Sequence, residues 1–191
     1  MEFDKKFLII GNQNVITNKE IFKYIKANKI WLGISMNGSN RWFMVPRDYP
    51  TKDNAAGVKF DEQGNKYFFV NGVRWFTNLT HKRRNEFLET IWFYKKTPEK
   101  YIKYDNYDGI DVEKVEKIPM DYEGVMGVPI TFLEKHNPKQ FEIVGIGTGN
   151  SGKELGVKKN YRGRTDIAYT KNGVQKCPFS RILIQKRKDS K

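Results

Sequence analysis

Lys6-Phe7-Leu8-Ile9-Ile10-Gly11-Asn12 is a short apolar run closed by a Gly-Asn turn signal. Consecutive apolar residues leave no polar face, so the run reads as a strand buried on both sides, as in the middle of a parallel sheet. Thr17 and Glu20 follow at capping-box spacing, and Ile21, Phe22 and Ile25 recur at helical period. That pattern predicts a helix over residues 18–28. Strand, short loop and helix make one half of a βαβ unit, which sets the fold class as α/β. A buried parallel strand needs neighbours, and this one has no βαβ unit before it. The chain reads as if it starts in the middle of a sheet.

Beyond the helix the texture is β-rich. Ile30-Trp31-Leu32-Gly33-Ile34, Arg41-Trp42-Phe43-Met44-Val45, Lys66-Tyr67-Phe68-Phe69-Val70, Val73-Arg74-Trp75-Phe76 and Thr90-Ile91-Trp92-Phe93-Tyr94 are short and rich in aromatic or β-branched residues. Asn37-Gly38, Gly64-Asn65 and Asn71-Gly72 punctuate them, and Asn71-Gly72 predicts a tight hairpin turn. Residues 98–140 are polar and acidic. A strand follows at Phe141-Glu142-Ile143-Val144-Gly145-Ile146, and the last is expected at Arg181-Ile182-Leu183-Ile184-Gln185.

Composition narrows the function. Hydrophobic residues make up 38% of 191 residues, enough for a packed core. No apolar stretch reaches the length of a membrane-spanning helix, and the acidic N-terminus is unlike a signal peptide, so a cytoplasmic protein is expected. One cysteine, Cys177, and two histidines, His81 and His136, offer neither a disulfide nor a cysteine-rich metal site. Cys177 is expected to pack as a small apolar residue. The net charge is +13. Residues 150–191 hold 12 Lys/Arg against three acids, whereas residues 105–123 hold seven acids against two lysines. Such asymmetry fits a polyanionic partner, nucleic acid above all.

Two basic clusters are the candidate contacts. His81, Lys82, Arg83 and Arg84 fall between two aromatic strands, and a solvated turn is the plain alternative. Lys158, Lys159, Arg162 and Arg164 interleave with Tyr161, asparagine and glycine, a mixture suited to phosphates and base edges. The loop Gly147-Thr148-Gly149-Asn150-Ser151-Gly152-Lys153-Glu154 resembles a phosphate loop in spacing, but Glu154 stands where a magnesium-holding Ser or Thr belongs. It reads as a flexible glycine loop. Trp31, Trp42, Trp75 and Trp92 are expected in the core rather than on bases, and the acids of 105–123 on a solvated face.

Several of these blocks, in order, resemble the EcoRI-type adenine-specific DNA methyltransferases. They include Phe7 to Asn14, Lys19-Glu20-Ile21-Phe22, Lys29 to Gly33, Arg74 to Leu79 with His81 to Arg84, Lys103 to Asp108, and Ile118 to Tyr122 with Gly124 to Leu133. Residues 3–146 carry the resemblance well. It implies methyl transfer from S-adenosylmethionine to the N6 amine of adenine in duplex DNA, with the target base flipped out. It also implies a partial Rossmann-like methyltransferase sheet followed by a β-rich region: residues 1–97 as the second half of that sheet with hairpins, and 98–191 as the DNA-contacting, target-recognition region.

The family's Asn-Pro-Pro-Phe motif and its cofactor loop do not occur in these 191 residues. The resemblance therefore implies no catalytic residue here and a chain that by itself does not bind the cofactor. The expected reading is the C-terminal portion of a restriction-modification methyltransferase, inactive alone and completed by a separate N-terminal half. The alternatives are a stand-alone DNA-binding protein and a nucleotide enzyme built on residues 147–153.

Overall fold

The computed structural model describes residues 5–34 and 41–188, so the expected Asn37-Gly38 turn lies outside the described residues. Along the chain come β1 (Leu8–Asn12), α1 (Lys19–Lys26), β2 (Trp31–Leu32), β3 (Arg41–Val45), β4 (Val58–Phe60), β5 (Lys66–Val70), β6 (Val73–Thr77) and α2 (Lys82–Asn85). Then follow β7 (Ile102–Lys103), β8 (Ile110–Asp111), β9 (Met126–Pro129), β10 (Phe141–Ile146), α3 (Gly149–Glu154), β11 (Tyr169–Lys171), β12 (Val174–Lys176) and β13 (Arg181–Lys186).

The opening strand corrects the sequence expectation. β1 pairs antiparallel with β6, Leu8 opposite Thr77 and Asn12 opposite Val73, in a three-stranded sheet of order β1-β6-β2. It is an edge strand. Leu8, Ile9 and Ile10 are 54%, 56% and 46% exposed, so among the described residues this apolar run has no second layer or second neighbour to bury it. A parallel, Rossmann-like arrangement around β1 is not what its pairing shows.

α1 forms where helical periodicity places it, but its cap is Asn18 rather than Thr17. The Asn18 side chain accepts from the Glu20 amide at 2.9 Å, while Thr17 Oγ1 donates to the Asn14 carbonyl. Asparagine satisfies the same orphan amides as threonine, and this one is a residue closer to the helix. Phe22 and Ile25 turn the apolar stripe inward.

Asn71-Gly72 is likewise no hairpin. Gly72 takes the left-handed backbone (φ +69°) that suits glycine, yet the strands it joins enter different sheets. β5 is the centre of β3-β5-β4 and β6 the centre of β1-β6-β2. The first of these sheets is closed on one side by Lys66, which is 2% exposed. Its ammonium donates to the carbonyls of Tyr49 and Thr51 and pairs with Asp53 at 3.0 Å. The expected strand over residues 90–94 is an irregular segment, pinned where Asp121 accepts from the amides of Tyr94 and Lys95.

The larger sheet has the order β10-β13-β9-β8-β7, antiparallel except for the β8–β9 pair. β13 lies between β10 and β9, and Ile182, Leu183 and Ile184 are fully buried. Each such side chain contributes about 1.5–3 kcal/mol by leaving water. Phe132 and Phe141 meet edge to face at 5.5 Å beneath it. One core cluster joins Ile16, Phe22, Leu32 and Phe76 to Ile110, Phe132, Phe141 and Ile184. Buried Arg74 of β6 crosses the same boundary to pair with Glu134 at 2.9 Å. Among the described residues no helix is long and apolar enough to cross a membrane.

None of the four tryptophans is buried in the core. Trp42 is 42% exposed, and Trp31, Trp75 and Trp92 are half-buried. Cations cover three of these rings: Arg84 lies 3.9 Å over Trp31, Lys59 4.4 Å over Trp42 and Lys100 4.9 Å over Trp92. An indole shielded by a cation gains attraction to its face without full burial.

Candidate nucleic-acid interface

The two basic clusters are built differently. His81, Lys82, Arg83 and Arg84 enter and form α2, a single helical turn after β6. Lys82 and Arg83 are exposed, and Lys82 is 3.9 Å from Glu86, a spacing that leaves it solvated. Arg84 is turned inward. It is 8% exposed, stacks on Trp31, and donates to Asn28 Oδ1 at 3.1 Å. Burial lowers its pKa to about 10, still charged at neutral pH. His81 is also half-buried, with Nε2 2.9 Å from the Leu32 carbonyl. Of this cluster, only Lys82 and Arg83 present charge to a ligand.

In the second cluster Lys158, Lys159, Arg162 and Arg164 are all exposed. Among the described residues none of them has an acidic partner within ion-pair distance. The Arg162 guanidinium lies 4.9 Å from the Tyr161 ring, which aligns a planar cation beside an exposed aromatic.

This loop is held from below by two buried asparagines. Asn160 Oδ1 accepts from the amides of Arg162 and Arg164 at 2.9 and 3.3 Å, and Gly163 (φ +70°) closes the turn. Its Nδ2 donates to the Asp166 carbonyl and to Cys177 Sγ. Asn106 reaches in from a distant part of the chain. It donates to the carbonyls of Lys158 and Asp166, each at 2.8 Å, and accepts from the Ala168 amide at 2.8 Å. Apart from the Asn160–Cys177 contact, both asparagines spend their side-chain hydrogen bonds on backbone, so the cations stand on a fixed frame. Sequence reasoning found the charges but neither anchor, because an asparagine in a polar loop carries no signal of burial.

The clusters sit at opposite ends of α1. Lys19 at its start pairs with Glu154 of α3 at 3.4 Å, and Asn28 past its end holds Arg84. α3 leads directly into the anchored loop.

The glycine segment of residues 147–154 is not the flexible loop expected. It winds into α3, Gly149 takes a left-handed backbone (φ +56°), and Gly147 and Gly152 serve close approach. A Cβ at Gly152 would stand 2.1 Å from the Thr165 carbonyl oxygen, and one at Gly147 2.8 Å from Ile167. The Gly149 amide already donates to the Asp166 carboxylate at 2.7 Å, and Thr165 Oγ1 donates to the Gly149 carbonyl. With a carboxylate on the Gly149 amide and the Thr165 backbone against Gly152, this segment does not fit a nucleotide or S-adenosylmethionine.

Other side chains also settle into structural roles. Asp111, expected on a solvated acidic face, is 9% exposed. It accepts from Tyr104 at 2.9 Å and from Arg181 Nε at 2.9 Å. Burial and the neighbouring Asp111 charge push the Tyr104 phenol far above its ordinary range. Asp105 takes hydrogen bonds from Thr170 and Gln175, which fixes β11 and β12 beside the basic loop. Burial raises the Cys177 pKa, in line with its packing role. No group of His, Cys, Asp and Glu fit to hold a metal occurs among the described residues.

A family model described as adenine-specific methyltransferase EcoRI matches residues 1–187. The type II methyltransferase M.EcoRI of Escherichia coli is 42% identical over 98% of this chain. M.MgeORF184P of Mycoplasma genitalium and M.MpnI of Mycoplasma pneumoniae, also type II methyltransferases, are 35% and 33% identical over 98% of it. The chain spans 52% of the E. coli relative's length and 59% of each of the other two. No solved structure matches it. The chain belongs to the EcoRI family of adenine-specific methyltransferases.

Proposed function

We propose that these 191 residues are the DNA-holding portion of an S-adenosylmethionine-dependent DNA adenine-N6 methyltransferase of restriction-modification type. In this reading Lys158, Lys159, Arg162 and Arg164 bind duplex phosphates, and Lys82 and Arg83 add a second contact. Residues 98–191 act as the target-contacting region and residues 1–97 as the sheet that joins it to the catalytic part. Cofactor and catalytic motifs belong to the length that the relatives have beyond the match, so this chain transfers no methyl group alone. A DNA substrate places the work in the cytoplasm.

One observation carries the reading: four exposed cations without acidic partners among the described residues, on a loop whose backbone two buried asparagines fix. Preorganised charge of this kind neutralises phosphates without first ordering the loop. The test is duplex binding by the chain across a salt series. Replacing the four residues by glutamine should lower the slope of log K against log salt by about 3 to 4. An unchanged slope would move the DNA surface elsewhere. With labelled S-adenosylmethionine and mixed-sequence duplex, the chain alone should transfer nothing, and measurable transfer would refute the division of labour. Binding with no transfer even when the remainder of a relative is supplied would favour a stand-alone DNA-binding protein.

A further inference from the structure

From the exposed edge of β1 we infer a docking surface for the portion of the methyltransferase that the relatives carry outside the matched stretch, an inference that rests on the reading above. That portion is a sizeable partner: the chain spans only 52–59% of those relatives.

Three features of the edge point the same way. β1 pairs on one side only, with β6, so its outer backbone groups have no strand partner among the described residues. An unpaired edge is a template for another strand, and soluble proteins usually blunt it with charge, proline or extreme shortness. β1 has none of these. Residues 7–18 contain no charged side chain in a chain that is 30% charged, whereas the opposite edge strand, β2, is only two residues long.

The sheet face beside that edge is also uncovered among the described residues. Leu8 and Ile10 lie on the face of their partners Thr77 and Trp75. Leu8, Trp75 and Thr77, with Gly33, Ile34, Leu79 and His81, line a hollow of about 290 Å³. Gly33 leaves the space open, since a Cβ there would stand 2.9 Å from Trp75 Cβ. Ile34 and Leu79 are 45% and 38% exposed. His81, which lines this hollow, also carries a buried Nδ1 without a hydrogen-bond partner.

An apolar face and an open edge in one place suit strand addition with side-chain insertion. A nucleic acid would find no cation along this strand, so the surface is distinct in chemistry from the basic loop.

The experiment mixes the 191-residue chain with the part of M.EcoRI that lies outside the match, produced as a separate chain. Sedimentation velocity should show a one-to-one complex, and hydrogen exchange at the amides of residues 8–12 should slow in it. Leu8→Lys with Ile10→Lys should weaken the complex by at least about tenfold, because two ammonium groups enter an apolar contact. Both side chains are half-exposed in the free chain, so its thermal unfolding should change little. No complex, a complex indifferent to the double variant with β1 exchange unaltered, or a self-dimer through β1 that the variant abolishes would each overturn the inference. Salt-dependent DNA binding by the unmodified chain separates the two readings. If it is present while the unmodified chain forms no complex, only the docking surface falls. If it is absent, the DNA-holding function falls.

Discussion

β1 and β13 are alike as sequences and opposite as structures. Leu8-Ile9-Ile10 and Ile182-Leu183-Ile184 are both uninterrupted apolar triplets in short strands. The second triplet is fully buried between two neighbouring strands and a packed layer; the first is about half exposed at a sheet edge. An apolar triplet therefore states a demand for burial, and whether this stretch of chain meets it depends on what lies on both edges and both faces. In the β13 region the demand is met by β10, β9 and the Phe132–Phe141 layer. At β1 it is left open, and the docking surface follows from that difference.

The comparison breaks most readily by truncation. Ile184→Ala should lower stability by about 3–4 kcal/mol, the loss of a fully buried side chain plus the cavity it leaves. Ile9→Ala should lower it by about 1 kcal/mol or less, since that side chain is already half in water. Urea unfolding of the two variants measures both. Equal losses would mean that β1 is covered in solution, by a second copy or otherwise.

Acid sharpens the same contrast, because its strongest lever lies in the β13 region. His136 is 4% exposed, donates from Nε2 to the Phe141 carbonyl at 3.0 Å and packs 5.6 Å from the Phe132 ring. Burial, reinforced by the nearby Arg84 and Arg187 charges, lowers its pKa from 6.5 to about 4. The folded state thus favours the neutral ring, and the unfolded state takes up its proton first. His136 leaves stability unaffected by pH above about 6.5. Between there and about pH 4 it removes about 1.4 kcal/mol per unit, on the order of 3 kcal/mol in all. Below pH 4 both states are protonated and the loss stops growing. His136→Gln should flatten the unfolding midpoint across that window; a variant with the same acid profile would place the sensitivity elsewhere.

Much of the framework was legible because it is local. Aromatic and β-branched runs mark β3, β5, β10 and β13, and a 3.6-residue stripe marks α1. Pairing was not legible: nothing within Asn71-Gly72 tells a hairpin from a crossing between sheets, since the backbone turn is the same and only the distant partners differ. The site divides likewise. Charge is written in the sequence, so the loop cations could be named. Arg84 looks like its neighbours until Trp31 and Asn28 arrive from more than 50 residues away to bury it. Asn106, one of the loop's two anchors, acts across 52 to 62 residues of chain.

That anchor separates charge from preorganisation. Asn106→Ala removes no charge but strands the Lys158 carbonyl and the Ala168 amide and leaves the Asp166 carbonyl to Asn160. A cost of about 2 kcal/mol in stability follows, depending on how well water replaces the amide. The cations remain, so once bound they still neutralise the same phosphates. Duplex affinity should therefore fall by several-fold while the salt slope stays as in the unmodified chain, because the loss is the entropy of ordering the loop. Lys158→Ala does the reverse. It should leave stability nearly unchanged and reduce the slope by about 0.9. If Asn106→Ala instead reduced the slope, the asparagine would be placing cations on phosphates one by one rather than rigidifying the frame that carries them.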